Sequence, residues 1–136
     1  MLALITAAVF AFLALTHFYW AAGGGKGMNA AIPQTNGVPA FRPSKAATAA
    51  VGLVLLGTVG IVLMRAGALP SPVPAWLLQA AVIGASAVLI LRAIGDFRLV
   101  GFFKRNRDSR FARMDTLLYS PLCLALGAAL AVLAAS

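Results

Sequence analysis

An all-α integral membrane protein, an up-down bundle of four transmembrane helices, is the fold this sequence predicts, and three observations carry it. The 136 residues are 62% hydrophobic and 10% charged, where a soluble domain has about 45–50% apolar and about 25% charged residues. The mean hydropathy is strongly positive, and a globule this small has too much surface to hide so many apolar side chains from water. Four apolar runs, Leu2–Ala22, Lys45–Met64, Ala75–Ile94 and Met114–Ala135, each approach the roughly 20 residues that cross a hydrocarbon core of about 30 Å. Only helices or closed barrels satisfy every backbone group in lipid. The runs are rich in Ala, Leu and Val without alternation, so they are helices. No linker is long enough to separate two units, and residues 1–136 form one domain with helices at about 2–22, 45–66, 75–99 and 110–135.

The first run has no basic segment ahead of it, is longer than the apolar part of a signal peptide, and carries Thr16, His17, Tyr19 and Trp20 near its end. It is expected to be a retained helix, stopped by Gly23-Gly24-Gly25. The connection Gly23–Ser44 holds Lys26 and Arg42. Ser44, after Arg42-Pro43, is a plausible N-cap for the second helix, whose Gly52, Gly57 and Gly60 offer close-packing surfaces. The second connection, Arg65–Pro74, is made stiff by Pro70, Pro72 and Pro74, and Pro74 suits the first turn of the third helix. Asp108 or Ser109 is expected to cap the fourth helix, along which Gly127, Ala131 and Ala135 recur every four residues. The lone Cys123 reads as a small buried hydrophobe.

Charge is concentrated in Arg92–Tyr119, which holds seven of the eleven basic residues and all three acidic ones. The first and third connections must share one face of an up-down bundle. With Lys45 they hold nine basic residues, against one in the second connection. Lys and Arg in short loops stay cytoplasmic, so that face is expected in the cytoplasm, with both termini on the other side of the membrane. Lys104, Arg105, Arg107, Arg110 and Arg113, interleaved with Phe102, Phe103 and Phe111, suit contact with anionic lipid headgroups. Topology and headgroups account for these charges, and nucleic acid is not an expected partner. A membrane-protein partner or a second copy of the chain is a further expected contact.

The polar side chains of the helices gather at the same end. His17 and Trp20 lie near the exit of the first helix, while Arg92 and Asp96, and again Asp115 and Tyr119, are spaced four apart and share a helix face. One reading is a cytoplasm-facing polar pocket of His17, Asp96, Arg98, Asp115 and Tyr119, with Trp20 and Arg42 at its rim; ionisable groups at membrane depth are costly unless paired and raise a functional hypothesis. The other reading is structural. Arg92 pairs with Asp96, Asp115 pairs with a loop arginine, and Trp20 and Tyr119 join the interfacial aromatic belt. One His, one Cys and three Asp without ligand spacing do not suggest a metal. No haem, other cofactor, nucleophile motif or phosphate loop is suggested either.

The stretches GDFRLVGFFKR, RDSRFARMDTLLYSPLCLALG, HFYWAAGG, AAIPQTNG and FRPSKAATA resemble the small four-helix bacterial membrane proteins grouped as domain-of-unknown-function family 3995. The resemblance spans nearly the whole chain. It implies an integral membrane protein and supplies no reaction. Two function classes therefore stand. The first is a non-catalytic membrane protein, acting in an assembly or on lipid, with a cytoplasm-facing polar cluster. The second is a membrane enzyme acting on an isoprenoid, quinone or lipid through His17, Asp96, Asp115 and Tyr119. A carrier is disfavoured, because the midplane of the second and third helices offers only Thr48, Thr58, Gln79 and Ser86.

Overall fold

The computed structural model describes residues 1–136. Four helices are long and apolar enough to cross a membrane: α1 (Leu2–Ala21), α3 (Lys45–Arg65), α4 (Ala75–Ile94) and α5 (Arg110–Ala135). The single-turn helix α2 (Met28–Ala31) and a two-stranded hairpin, β1 (Gln34–Thr35) with β2 (Val38–Pro39), lie in the first connection. The chain is a multi-pass, all-α membrane bundle. In the first connection α2 and the hairpin were unforeseen, and Asn36-Gly37 is the signal for the latter. Both residues have positive φ, 52° and 78°, the twist a two-residue hairpin turn needs.

The helices pack as two close pairs of consecutive spans, α1 along α3 and α4 along α5, with thinner contacts between pairs. Small residues let the backbones approach. Gly52 faces the ring of Phe18, and Gly127 lies against Ile90 and the carbonyl of Ser86, whose hydroxyl donates to Gly127 O at 2.7 Å. All four helices contribute to one apolar core of Ala3, Ala7, Phe10, Val62, Val82, Leu126, Leu130, Leu133 and Ala134. These residues lie away from the end that carries the basic loops. At that far end, Arg65 donates to the carbonyls of Ala134 and Ser136, and Gln79 also donates to Ala134 O. A cation on the last carbonyls of α5 complements its helix dipole.

The caps follow local chemistry. Ser44 Oγ accepts from Ala47 N, and Ser109, the second of the two expected candidates, accepts from Ala112 N, both at 3.0 Å. Gly23 and Gly24 donate back to Trp20 O and Tyr19 O, closing the last turn of α1. One boundary needs correction. The third span ends at Ile94, not near residue 99, because Gly95 takes φ 97° and Phe97 φ 62° and the chain doubles back. A second feature was not anticipated: α5 widens into a π turn over Asp115–Tyr119, where Ser120 N reaches Asp115 O. Pro121 follows directly. It has no N–H for the helical ladder, and its ring needs room beside the carbonyl four residues back. The wide turn provides that room, and such turns occur often at functional sites.

Candidate functional site

The basic end carries two separate arrangements. The first is centred on Asp115, which is fully buried. Its Oδ1 accepts from Arg92 Nη2 at 2.7 Å, and its Oδ2 accepts from Gly101 N at 2.7 Å and from Lys104 Nζ at 3.0 Å. Lys104 is only 2% exposed. Its ammonium also donates to Gly101 O at 2.9 Å and Thr116 Oγ1 at 2.6 Å, so all three of its protons are engaged. Two cations and a backbone amide around one carboxylate meet the condition on which a buried charge is tolerated. The lysine has no spare proton, and both carboxylate oxygens are engaged, while Arg92 Nη1 is buried without a partner. The cluster acts as a clasp.

The loop that delivers Gly101 is built by Asp96. Its Oδ1 accepts from the backbone N–H groups of Arg98, Leu99 and Val100 at 2.8–3.0 Å, while Asp96 N donates to Val100 O. Its slight burial opposes the charge, but the backbone donors of Val100, Arg98 and Leu99 outweigh it and hold the carboxyl below its ordinary range. Gly95 and Gly101, both with positive φ, lie backbone against backbone. A Cβ on Gly95 would collide with Val100 O, and one on Gly101 with Ile94 O. The third connection is thereby folded onto the end of α4, and Phe102 N donates to Ala93 O at 2.8 Å.

The first connection is tied to this clasp. Tyr119 OH donates to Ala30 O at 3.0 Å while its ring lies 6.0 Å from that of Phe111. Asn106 Nδ2 donates to Gln34 O at 3.0 Å and lies 3.3 Å from Thr35 Oγ1.

The second arrangement is a half-open pocket of about 300 Å³ between α1, the start of α3 and the first connection. His17, Trp20, Met28, Ile32, Phe41 and Val51 are among its lining residues. His17 and Trp20 pack edge to face with ring centroids 5.3 Å apart. Trp20 Nε1 donates to Lys26 O at 2.8 Å, and His17 Nδ1 contacts Leu13 O at 2.8 Å. A carbonyl only accepts, so Nδ1 carries the proton of that bond and Nε2 is the ring's unengaged polar atom.

The residues proposed from sequence therefore divide. His17 and Trp20 line the pocket, and Arg42 stands between its lining residues Phe41 and Pro43. Asp96 and Arg98 belong to the loop turn, Asp115 to the clasp, and Tyr119 to the tie with α2. Two pairings expected from spacing need correction. Arg92 bonds Asp115, not Asp96, and the loop cation on Asp115 is a lysine. Lys104 is also removed from the headgroup contacts, because Asp115, Thr116 and Gly101 enclose its ammonium. Arg105, Arg107, Arg110 and Arg113 are exposed. Sequence reasoning missed Lys104 and Gly101 as partners of the buried acid. The glycines flanking Asp96 were the available signal for a tight turn, whereas nothing in a run of basic residues marks one of them as interior. No three metal-ligating side chains come together.

No curated protein and no solved structure matches the chain. A family model described as "Protein of unknown function (DUF3995)" matches residues 10–130, covering every residue of the clasp and the pocket. This chain, with four membrane-spanning helices closed at one end by a buried Arg92–Asp115–Lys104 clasp, belongs to the DUF3995 family.

Proposed function

We propose that this chain is a non-catalytic, lipid-interacting protein of the bacterial inner membrane, with its basic end in the cytoplasm and both termini outside. One observation carries the reading: the cations at the basic end are sorted. The two that reach Asp115 are bound to it. Lys26, Arg42, Lys45, Arg98, Arg105, Arg107, Arg110 and Arg113 are exposed at the helix ends, and none has an ion-pair partner. Unpaired cations at that level attract anionic headgroups by about 1 kcal/mol each, and their one-sidedness fits a cytoplasmic face. Anionic headgroups are the partners this reading commits to.

An enzyme acting on an isoprenoid, quinone or lipid draws less support. It was to use His17, Asp96, Asp115 and Tyr119 around one cavity, and the last three each hold another part of the chain.

The test has two parts. With Cys123 replaced by Ala, a cysteine at Asn36 or Asp108 should react with a membrane-impermeant maleimide only after the cell membrane is opened. In mixed nanodiscs the wild type should enrich phosphatidylglycerol around itself, and a variant with Gln at Arg105, Arg107, Arg110 and Arg113 should lose most of that enrichment. Labelling in intact cells, or enrichment indifferent to the four arginines, overturns the reading.

A further inference from the structure

We infer that the pocket between α1 and α3 is a binding site for one anionic amphiphile, an apolar chain carrying a phosphate-class head. The inference deepens the lipid-interacting reading and rests on it: the exposed arginines of the third connection would gather such lipids, and this pocket would hold one of them.

The walls argue for the chain. Met28, Ile32, Phe41, Val51, Ala47 and the Trp20 ring surround about 300 Å³, near the lower end of the range for small-molecule sites. That volume admits part of a chain and leaves the rest in the bilayer. Ile32 and Met28 are held on a connection that is itself anchored, since Tyr119 fixes Ala30 and Asn106 fixes the hairpin. The pocket is thus a built cleft, unlike the smooth lipid-facing side of a helix.

The mouth argues for the head. A second depression of about 280 Å³ adjoins the first and shares Trp20, Met28, Pro43 and Thr48 with it; Lys45 and Gly23-Gly24-Gly25 complete it. Lys45 Nζ stands over this glycine turn, 4.0 Å from the point where a side chain on Gly23 would begin. Lys45 has no carboxylate partner, and neither does Arg42, set between Phe41 and Pro43. No acidic residue lines either depression. An apolar cleft continuous with an unpaired ammonium complements a molecule with a greasy chain and an anionic end. His17 Nε2, with no protein partner, adds a polar atom to the wall.

The experiment reads Trp20 fluorescence in a Trp76→Phe background, with the full chain in phosphatidylcholine nanodiscs. Phosphatidylglycerol with brominated acyl chains should quench Trp20 saturably at a few mole per cent, whereas brominated phosphatidylcholine should quench only in proportion to its amount. Ala47→Phe, which fills the cleft, should abolish the saturable component. Lys45→Gln with Arg42→Gln should shift its midpoint at least several-fold upward, and keeps the test open should Ala47→Phe fail to fold. Competition by unbrominated phosphatidylglycerol and by farnesyl phosphate distinguishes a membrane phospholipid from an isoprenoid phosphate. Equal, linear quenching by both brominated lipids, unchanged in the variants, overturns the site. If so, phosphatidylglycerol enrichment that depends on the third-connection arginines would still stand, so the two failures are separable.

Discussion

Gly101 presents its backbone N–H to Asp115 Oδ2 at 2.7 Å, across fourteen residues of sequence. Through this one bond the tightly wound third connection is fastened to the helix that follows it. Lys104 then spans both partners, donating to Gly101 O and to Asp115. The carboxylate therefore organises a loop and pairs with two cations at once.

Removing that carboxylate strands two positive charges, one of them in a site with almost no solvent. Breaking a buried pair from one side costs about 3–5 kcal/mol, whereas replacing both partners by apolar residues costs much less. Asp115→Asn is therefore expected to lower the unfolding midpoint in detergent sharply. Asp115→Leu combined with Lys104→Met should be less damaging than Asp115→Leu alone. Thermal denaturation of the three variants checks the order.

Gly101→Ala introduces a Cβ into the backbone of Ile94 at a positive φ. The expected cost exceeds the ~1 kcal/mol gained or lost at ordinary glycine sites, and the third connection should become cleavable. Limited proteolysis between residues 95 and 113 reads this directly. Gly57→Ala, which meets nothing within 4 Å, serves as the neutral control.

Asp96 sets a pH dependence whose sign is fixed. Its folded pKa lies below the ordinary 3.8, so the turn's contribution is fully present above that value and is lost as pH falls through the lower folded value. Because the carboxyl is mostly exposed, solvent screening limits the effect to a fraction of a kcal/mol. Hydrogen exchange at Arg98, Leu99 and Val100, corrected for intrinsic rates, should show steady protection from pH 7 to about 4 and weakening below. Asp96→Asn should reduce that protection at neutral pH and remove its dependence on pH.

Tyr119→Phe deletes the hydroxyl that holds Ala30 and keeps the ring against Phe111. The expected loss is about 1 kcal/mol, felt in the first connection. Faster proteolysis within residues 23–44, with the span α5 itself unchanged, is the predicted readout.

The spans and their caps were legible because their causes are local: Ser44, Ser109 and the Gly23–Gly25 stop act within a turn of where they stand. The turn at Asn36-Gly37 and the disturbance before Pro121 were equally local signals, and read as such they place the hairpin and the π turn. The clasp was not legible. Arg92 and Asp115 are 23 residues apart; α4 ends at Ile94, so Asp96 leaves the helix face that a four-residue spacing assumes, and the packing of α4 on α5 sets Arg92 against Asp115. The π turn further alters the register between Asp115 and Tyr119, so a four-residue spacing ceases to mean a shared face. Lys104 was hidden among other cations whose chemistry is the same and whose surroundings differ.

Each close-packed pair consists of consecutive membrane spans, with α1 beside α3 and α4 beside α5. This arrangement bears on how the protein is made. A helical hairpin can enter the bilayer and find its partner span before the rest of the chain has left the ribosome, so neither pair depends on the other to be inserted. The polar ties that join the halves, Tyr119 to Ala30, Asn106 to the hairpin and Arg65 to the end of α5, all require residues from both. None of them can form before both hairpins have been made, and they mark the step at which two inserted hairpins become one protein.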